Sequence, residues 1–464
     1  MAKKPTGRGN GNTPTGENGA LATVSCSTEK LLLAALERGG SCLETGRFLI
    51  SFRDGWMEEG IKSLKAQNFR VADARDFTDQ AVSLEDAGDA EAMVFPELGV
   101  ALVGGDALEQ HGMSVLDKVS ADSPIEIIEP EYFAFSESSG FKSSDFKNAD
   151  SKNSGSKNSG SKNSEYLRGF LRAASTIARD LGVDLDREDT DEGAESDAQQ
   201  STWGLTRCRV TQSSWSGAGI KVAVLDTGMD LGHPDFAGRE FVTRSFVGEP
   251  VQDMNGHGTH CIGTACGPEA PSESTQRYGI AYEAEVFVGK VLTNSGSSTG
   301  AGVLAGLNWA IANRCEVISM SLGSQSPVQA AYTHAGEAAL RNGCLIIAAA
   351  GNSATNTGAP ANSPTVMSVA SLDPNLKPSS FSNHGKIEIA APGRDIFSSW
   401  PRPTRHKSIS GTSMAAPHVA GCAALWAQSD DSLRGRKLWQ QLMASAQELP
   451  LPESSVGEGL VQAP

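Results

Sequence analysis

The sequence contains no apolar run that approaches the roughly 20 residues needed to cross a membrane as a helix. It also has no excess of basic residues, because 55 acids outnumber 39 bases and give a net charge of −16. A nucleic-acid-binding protein needs a basic face to meet phosphates, so this balance argues against that class. We therefore expect a protein whose partners include neither nucleic acid nor a membrane.

The N-terminus is basic, but no apolar stretch follows within the first 30 residues, as a secretory signal peptide would require. We therefore expect a cytoplasmic location by default, with export by a non-standard route as the alternative. The sequence has eight cysteines, several of them inside apolar patterns, where a free thiol behaves as a small buried hydrophobe. An even count also permits disulfides, so the disulfide state stays open.

A chain of 464 residues is too long for one ordinary core, and two or three folding units are expected. The charge divides near residue 200: residues 1–202 hold 35 acids and 21 bases, whereas residues 203–464 hold 20 acids and 18 bases. The first part therefore carries a net −14 and the second a net −2. This split indicates a functional boundary near residue 200.

Composition and apolar patterning predict five segments along the chain. They are a disordered tail at 1–45 in which a short helix is predicted from Glu29 to Glu37, a compact α/β unit at 46–136, a low-complexity acidic linker with a short helix at 137–202, a larger α/β domain at 203–445, and a C-terminal tail at 446–464. The linker is marked by Ser-Lys-Asn-Ser-Gly repeats from Ser151 onward, a composition typical of flexible chain.

The larger domain alternates short apolar runs with helical stretches. The runs cover residues 221–225, 286–291, 317–320, 344–349, 366–370 and 387–390. Continuous apolar runs separated by helices indicate a mainly parallel sheet covered on both faces. Because sites in such sheets form beyond the carboxyl ends of the strands, the residues directly after each run are the candidates for chemistry.

Two candidate residues follow the first run. Asp226 directly follows that run and precedes Thr-Gly, where a carboxylate can be held still, although an Asx turn is the simpler interpretation. His257 lies in the sequence Asn-Gly-His-Gly-Thr-His, at the start of an apolar helical stretch. A zinc site that uses His257 and His260 is the competing interpretation, and it lacks a partnering Glu or Cys.

Two more candidates lie near the end of the domain. Asn352 follows the fourth run and either caps a turn or directs its amide at a developing negative charge. Ser413 lies in an eleven-residue segment of mainly small residues, from Gly411 to Gly421, at the entrance of an apolar helix. A serine there is either a helix cap or a nucleophile whose oxyanion would face the positive end of the helix.

These four motifs, in the order Asp, His, Asn and Ser on one parallel sheet, resemble those of the subtilisin-like serine proteases, the subtilase family. The resemblance covers about residues 203–445 and implies an α/β, subtilisin-like three-layer fold and a serine endopeptidase. It implies that Ser413 is the nucleophile, that His257 is the general base, and that Asp226 orients His257. It also implies that Asn352 donates a hydrogen bond in the oxyanion hole.

The same resemblance assigns substrate-binding residues. Ser321, Leu322 and Gly323 match the strand that pairs with the substrate backbone, and Ala350 and Gly351 match a wall of the primary specificity pocket. The expected partners are protein or peptide substrates, and we expect a monomer. The small residues near this pocket predict a preference for bulky or apolar residues before the cut.

The unit at 46–136 resembles the propeptide of the same family, which occupies the cleft as an inhibitor. We therefore expect a self-maturing zymogen with its own propeptide as intramolecular inhibitor. The segment from Tyr132 to Ser138 is predicted to lie in the cleft, with cleavage between Phe135 and Ser201.

We expect no required cofactor. The resemblance implies a calcium site, and Asp235 matches its carboxylate ligand, but the loop at 267–277 lacks the asparagine that the family uses there. The sequence therefore gives calcium little support at that position and leaves the metal question open. A catalytically silent peptide-binding protein on the same fold is the alternative function, and the presence of all four candidate groups disfavours it.

Overall fold

The computed structural model describes residues 23–38, 44–113, 122–136 and 200–464. We call residues 23–136 the N-terminal unit and residues 200–464 the C-terminal unit. The repeats from Ser151 and the predicted linker helix lie outside the described residues. Within the described ranges, no helix is both long and apolar enough to cross a membrane.

The N-terminal unit is a small α/β unit. Its elements are α1 (Thr28–Arg38), β1 (Glu44–Phe52), α2 (Met57–Ala66), β2 (Val71–Asp73), β3 (Ala92–Phe95), β4 (Val100–Val103), α3 (Gly105–Gln110) and β5 (Ile125–Ser136). Its strands are ordered β5-β1-β4-β3-β2, and α2 buries Ile61 and Leu64 against one face of that sheet. The predicted α/β character of this unit agrees with the described residues.

The boundary predicted for the disordered tail is wrong, but the short helix predicted within it corresponds to α1. Residues 28–38 form helix α1, and β1 already begins at Glu44. The helix is held because Leu31, Leu32 and Ala35 bury their side chains against Phe133 of β5. The polar composition of the first 20 residues does not continue through these apolar positions. Phe133, against which they pack, lies about a hundred positions further along the chain.

The C-terminal unit contains the larger sheet and most of the helices. Its strands are β6 (Gln200–Ser201), β7 (Lys221–Asp226), β8 (Phe241–Ser245), β9 (Gln276–Arg277), β10 (Glu285–Lys290), β11 (Ser297–Thr299), β12 (Val317–Met320), β13 (Leu322–Gly323), β14 (Leu345–Ala349), β15 (Met367–Leu372), β16 (Ile389–Pro392), β17 (Ile396–Ser399) and β18 (His406–Ile409). Its helices are α4 (Trp203–Arg207), α5 (His257–Cys266), α6 (Gly300–Ala312), α7 (Ala330–Arg341), α8 (Thr412–Ser429), α9 (Arg436–Ser445) and α10 (Glu453–Val456).

Seven strands form one sheet in the order β16-β15-β14-β12-β7-β10-β8, and every neighbouring pair is parallel. Side chains alternate between its two faces. Val222 and Val224 pack with the α5 and α8 side, whereas Ala223 and Leu225 pack with the α6 and α7 side. The sheet is thus buried on both faces in a three-layer α/β architecture, as the continuous apolar runs predicted.

Residues 446–464 are part of the C-terminal unit, so the predicted C-terminal tail is wrong. Leu460 and Val461 are fully buried. The amide of Val461 donates to the Ala390 carbonyl at 3.0 Å, and the amide of Leu460 donates to the Gln447 carbonyl at 2.9 Å. This segment lies beside β16 at the edge of the sheet and satisfies backbone groups there, which its length and composition alone did not indicate.

Candidate active site

The four candidate side chains meet at the carboxyl end of the large sheet. Asp226 is the last residue of β7, and Asn352 follows β14 by three positions. His257 is the first residue of α5, and Ser413 is the second residue of α8. The two helices pack closely because Gly421 of α8 lies against Ile280 and the Ala265 carbonyl, where a Cβ atom would come within 3 Å of both.

Asp226 and His257 form a buried hydrogen-bonded pair. The Oδ1 atom of Asp226 lies 2.8 Å from Nδ1 of His257, and the two side chains are 1% and 2% exposed. The same carboxylate oxygen accepts the Thr227 amide at 2.7 Å. The carboxylate can therefore hold the imidazole in one orientation, with Nδ1 protonated and Nε2 left for chemistry.

The first turn of α5 is fastened to the turn after β7. Asp253 accepts hydrogen bonds from the Gly256 amide and from the amide and hydroxyl of Thr259, all between 2.7 and 2.9 Å. Gly258 lies so close to the Gly228 carbonyl that a Cβ atom would come within 2.3 Å of it. Only glycine permits this approach, which explains the glycine after His257.

The environment of His257 sets its basicity. Burial alone would lower the pKa of His257, but the carboxylate of Asp226 outweighs burial and raises that pKa well above 6.5. The Nε2 atom is buried and makes no hydrogen bond to any described residue. An imidazole with one nitrogen held by a carboxylate and the other unengaged is the arrangement of a general base.

Ser413 is fully buried beside this pair. Its hydroxyl donates to the Ser321 carbonyl at 3.3 Å, and the Ser321 hydroxyl donates to the Ser413 carbonyl at 2.7 Å. The thiol of Cys261, one turn after His257 on α5, also lies 3.6 Å from the Ser413 carbonyl. The start of α8 is thereby held between the end of β12 and helix α5.

Asn352 is joined to the residue that precedes Ser413. Its Oδ1 atom accepts the Thr412 amide at 2.8 Å and the Thr412 hydroxyl at 3.0 Å. The Thr412 hydroxyl in turn accepts the Gly351 amide at 3.1 Å. Because Oδ1 is committed to Thr412, the Nδ2 group of Asn352 is the part of the amide suited to donate to an oxyanion.

The predicted substrate-binding residues border a cleft that holds β5. Leu322 and Gly323, which form β13, pair antiparallel with Ser136 and Phe135 of β5. On the other side of β5, strand β11 pairs antiparallel with Phe133, Ala134 and Phe135. Strand β5 is therefore the middle strand of three, and it ends beside Ser321 and the start of α8.

The Ala350–Gly351 segment, which the sequence predicts as a pocket wall, directly follows β14. The Ala350 carbonyl accepts the Asn383 side-chain amide at 2.9 Å. Gln325 was not identified from the sequence, yet its side-chain nitrogen lies 3.5 Å and 3.2 Å from where Cβ atoms would be on Gly351 and Gly358. No local motif marks Gln325, because its neighbourhood comes from three separate loops.

The histidines outside the pair support the backbone. His260 is fully buried with its Nε2 atom 2.9 Å from the Ile396 carbonyl, and burial lowers its pKa to about 3. His418 donates through Nδ1 to the Met414 carbonyl at 2.7 Å, and burial lowers its pKa to about 4. His257 and His260 have different partners and do not converge, so the zinc interpretation finds no support here.

The residues around Asp235 do not fit a calcium ion. Its Oδ2 atom accepts the Tyr278 hydroxyl at 2.7 Å and lies 2.7 Å from Nε2 of His406, and its Oδ1 atom accepts the Ser272 hydroxyl and the Glu273 amide. Calcium needs oxygen ligands without competing protons, whereas this carboxylate faces four protein donors. His233, the third member of this group, uses both ring nitrogens in hydrogen bonds to the backbone.

The site combines a serine with a histidine that a carboxylate holds, at the carboxyl end of a parallel α/β sheet. This combination, next to a cleft that binds an extended strand, is typical of a serine hydrolase. The chain matches the family model of the subtilase family over residues 217–459. It belongs to the subtilase family, and it is a serine endopeptidase whose substrates are proteins or peptides.

Similar proteins agree with this assignment. The chain is 40% identical to Subtilisin Savinase of Lederbergia lenta over 275 residues, which are 57% of this chain and 98% of that protein. It is 39% identical to an alkaline protease of Alkalihalobacillus alcalophilus over 61% of this chain and 78% of that protein. A crystal structure of a cold-adapted subtilisin-like serine proteinase matches 57% of this chain and 99% of its own, at 34% identity and a TM-score of 0.52.

The expectation of a cytoplasmic location is wrong. One relative, 37% identical over 292 residues, is a cuticle-degrading serine protease of Arthrobotrys oligospora, and it corresponds to 57% of this chain and 68% of that protein. A cuticle lies outside the cell that makes such an enzyme, so this relative and the alkaline proteases point to export. The expectation rested on the lack of an apolar stretch near the N-terminus, and such a stretch is a feature of only one kind of export signal.

Proposed function

We propose that Asp226, His257 and Ser413 are the catalytic triad of this endopeptidase. In this proposal the Ser413 hydroxyl attacks the scissile carbonyl while Nε2 of His257 takes its proton and later gives it to the leaving amine. Asp226 holds the imidazole and stabilises its charged form. A water molecule, activated by the same histidine, then hydrolyses the acyl-enzyme. The 2.8 Å Asp226–His257 contact beside the start of α8 is the observation that carries this proposal.

The oxyanion would be bound by Asn352 Nδ2 and the Ser413 amide. The commitment of the Asn352 oxygen to Thr412 supports this role because it orients the amide next to the nucleophile. The amide of Ser413 lies in the first turn of α8, where helix amides lack intrahelical partners and favour negative charge.

We further propose that the N-terminal unit is the intramolecular inhibitor of a monomeric zymogen. Three-stranded pairing of β5 with β11 and β13 imitates a bound substrate strand. The end of β5 supports a cut just beyond Ser136, because Leu322 pairs with Ser136 whereas the Ser413 hydroxyl contacts Ser321, the residue before Leu322. The residues after Ser136, including the rest of the predicted cleavage window up to residue 199, lie outside the described ranges.

Two glutamates of β5 join the units in a way that supports inhibitor binding. Glu129 accepts the amides of Ala330 and Ala331 at 3.0 and 2.8 Å, at the first turn of α7. Glu131 accepts the Ala301 amide at 2.8 Å, at the first turn of α6. Both carboxylates therefore cap helices of the C-terminal unit, where helix amides and the helix dipole favour negative charge.

Intact-mass analysis of the purified chain tests both proposals. Wild-type chain should shorten over hours to a mass that begins after Ser136, and the product should react with a fluorophosphonate probe. Ser413→Ala should keep its full mass and remain unlabelled, whereas the exposed control Ser380→Ala should behave as wild type. Labelling without a mass change would reject self-maturation and leave the N-terminal unit as a permanent regulator. Equal processing of Ser413→Ala would reject Ser413 as the nucleophile.

A further inference from the structure

Strand β5 is covered on both of its faces. Its side chains alternate, and Ala134 packs in the apolar cluster that contains Val303 and Leu322 of the C-terminal unit. Phe133 and Phe135 belong to a different cluster on the opposite face. A strand that only filled the cleft would expose that opposite face to water, yet Phe133 is 0% exposed.

Helix α1 supplies the cover on the outer face. Leu31, Leu32 and Ala35 are buried and form one cluster with Phe133, and Phe135 is packed against its edge. The helix also contacts β1 of its own unit and β11 of the C-terminal unit. It therefore touches two of the strands that pair with β5, one from each unit.

The segment before α1 fastens the helix to the N-terminal unit. Val24 is fully buried, and its amide donates to the Ala90 carbonyl at 2.9 Å. Its carbonyl accepts Nη1 of Arg47 at 2.8 Å. Arg47 also forms a fully buried ion pair with Glu131, at 2.7 Å between Nε and Oε2. One chain of contacts thus runs from Val24 through Arg47 and Glu131 to the start of α6.

We propose that residues 23–38 form a strap that holds β5 in the cleft. Helix α1 is the part of the strap that docks on the outer face of β5. This proposal rests on the inhibitor role proposed above for the N-terminal unit. According to this proposal, β5 leaves the cleft only after α1 has dissociated from Phe133 and Phe135. The strap would lengthen the interval between the first cut and free enzyme.

Hydrogen exchange of the full-length chain tests the strap without depending on activity. The background variant is Ser413→Ala, which keeps the chain intact. Leu32→Glu places a charge against Phe133, and Lys30→Gln is the matched control, because it changes the charge by the same amount on the exposed side of α1. Leu32→Glu should speed exchange of the amides at 133–136 by about tenfold or more, since uncovering apolar surface of this size favours local opening by roughly that factor.

Exchange in β1 and β4 distinguishes a strap from a general part of the core. The proposal expects those strands to keep their protection in Leu32→Glu while residues 133–136 lose theirs. Equal acceleration in β1, β4 and 133–136, or no acceleration at 133–136, would overturn it. If Leu32→Glu fails to fold, Leu32→Ala provides the same comparison with a smaller expected change in the same direction.

The active chain supplies a second readout. With Ser413 present, Leu32→Glu should shorten the lag before peptidase activity appears, and Lys30→Gln should not. If Leu32→Glu leaves the lag unchanged and only lowers the yield of folded protein, α1 contributes to folding alone and the strap proposal is overturned. Faster exchange at 133–136 in a chain that never matures would support the strap and reject self-maturation. The experiment can therefore reject one of these two proposals without rejecting the other.

Discussion

The thiol of Cys261 lies 3.9 Å from Nδ1 of His257, on the nitrogen that Asp226 also holds. The two residues are four positions apart on α5, so their side chains share one face of the helix. Burial raises the pKa of Cys261, so the group is a neutral thiol at neutral pH. A cysteine with no part in the proposed reaction therefore lies against His257, the proposed general base.

We expect mercurial reagents to inactivate the mature enzyme through Cys261. A mercury adduct on Sγ would push the imidazole away from Asp226, because no empty space separates the two groups. Cys261→Ala should retain most of its activity and resist the reagent, as followed by residual peptidase activity and bound mercury. Cys266→Ala, which removes another buried thiol of α5, should stay sensitive. Inhibition of Cys261→Ala equal to that of wild type would contradict the prediction.

The acid limb of the pH–rate profile should lie above pH 6.5. Only neutral His257 can accept the Ser413 proton, and Asp226 raises the pKa of His257 well above 6.5, so activity should rise as pH increases through that raised value. Asp226→Asn should shift the limb to lower pH and reduce kcat by about 10⁴, the loss seen for the matching change in a serine protease. The surface variant Asp373→Asn should leave the kcat/KM profile between pH 5 and 10 unchanged. An unshifted limb in Asp226→Asn would argue against the pair.

Asn352→Ala should reduce kcat by about 10²–10³ with little change in KM, because an oxyanion donor acts mainly in the transition state. Steady-state kinetics on a chromogenic peptide measure both constants. The exposed variant Asn375→Ala serves as control and should match wild type. A loss confined to KM would show that Asn352 binds substrate and does not stabilise the oxyanion.

Chelation should not change the thermal stability that Asp235 provides. Its carboxylate is held by Tyr278 and His406, so Asp235→Asn should lower Tm by roughly 3–10 °C, and this difference should be the same with and without EDTA. The exposed variant Asp431→Asn is the control. A fall in Tm on chelation that Asp235→Asn abolishes would establish a cation at this carboxylate.

The effect of Asp235→Asn on Tm should depend on pH. Burial by itself would raise the pKa of Asp235, but hydrogen bonds from Tyr278, His406 and the Glu273 amide outweigh it and lower the pKa below 3.8. The carboxylate therefore contributes stability that is fully present above pH 3.8 and is lost as pH falls through the lowered value. The Tm difference between wild type and Asp235→Asn should be constant near neutral pH and shrink below pH 3.8. A difference that grows on acidification would contradict this assignment.

The parallel sheet and the positions of Asp226, His257, Asn352 and Ser413 could be predicted because each depends on a short local pattern. An apolar run that ends at a polar residue marks the carboxyl end of a buried strand, and such ends meet at one edge of the sheet. The structure places Asp226 and Asn352 at or just after strand ends and His257 and Ser413 at helix starts. Their catalytic roles stay proposals that the experiments above address.

Other features depend on residues far apart in the sequence and were missed or misplaced. Gln325 reaches Gly351 and Gly358 only because three loops fold together. The tail boundaries were wrong because Leu31 and Leu460 find their apolar partners about 70 to 100 positions away, at Phe133 and in the sheet near Ala390. The hydrogen-bond partners of Asp235 were missed because His406 and Tyr278 arrive from distant segments.

The sequence by itself determined six of the seven strands of the parallel sheet, the four polar residues at strand ends and helix starts, and the acidity of the first 202 residues, because apolar periodicity and composition are local properties. The tertiary structure alone decided that Cys261 contacts His257, that four hydrogen-bond donors surround the Asp235 carboxylate, and that α1 covers β5. Each of these depends on two surfaces brought together by burial of apolar side chains, and burial is a property of the folded chain as a whole.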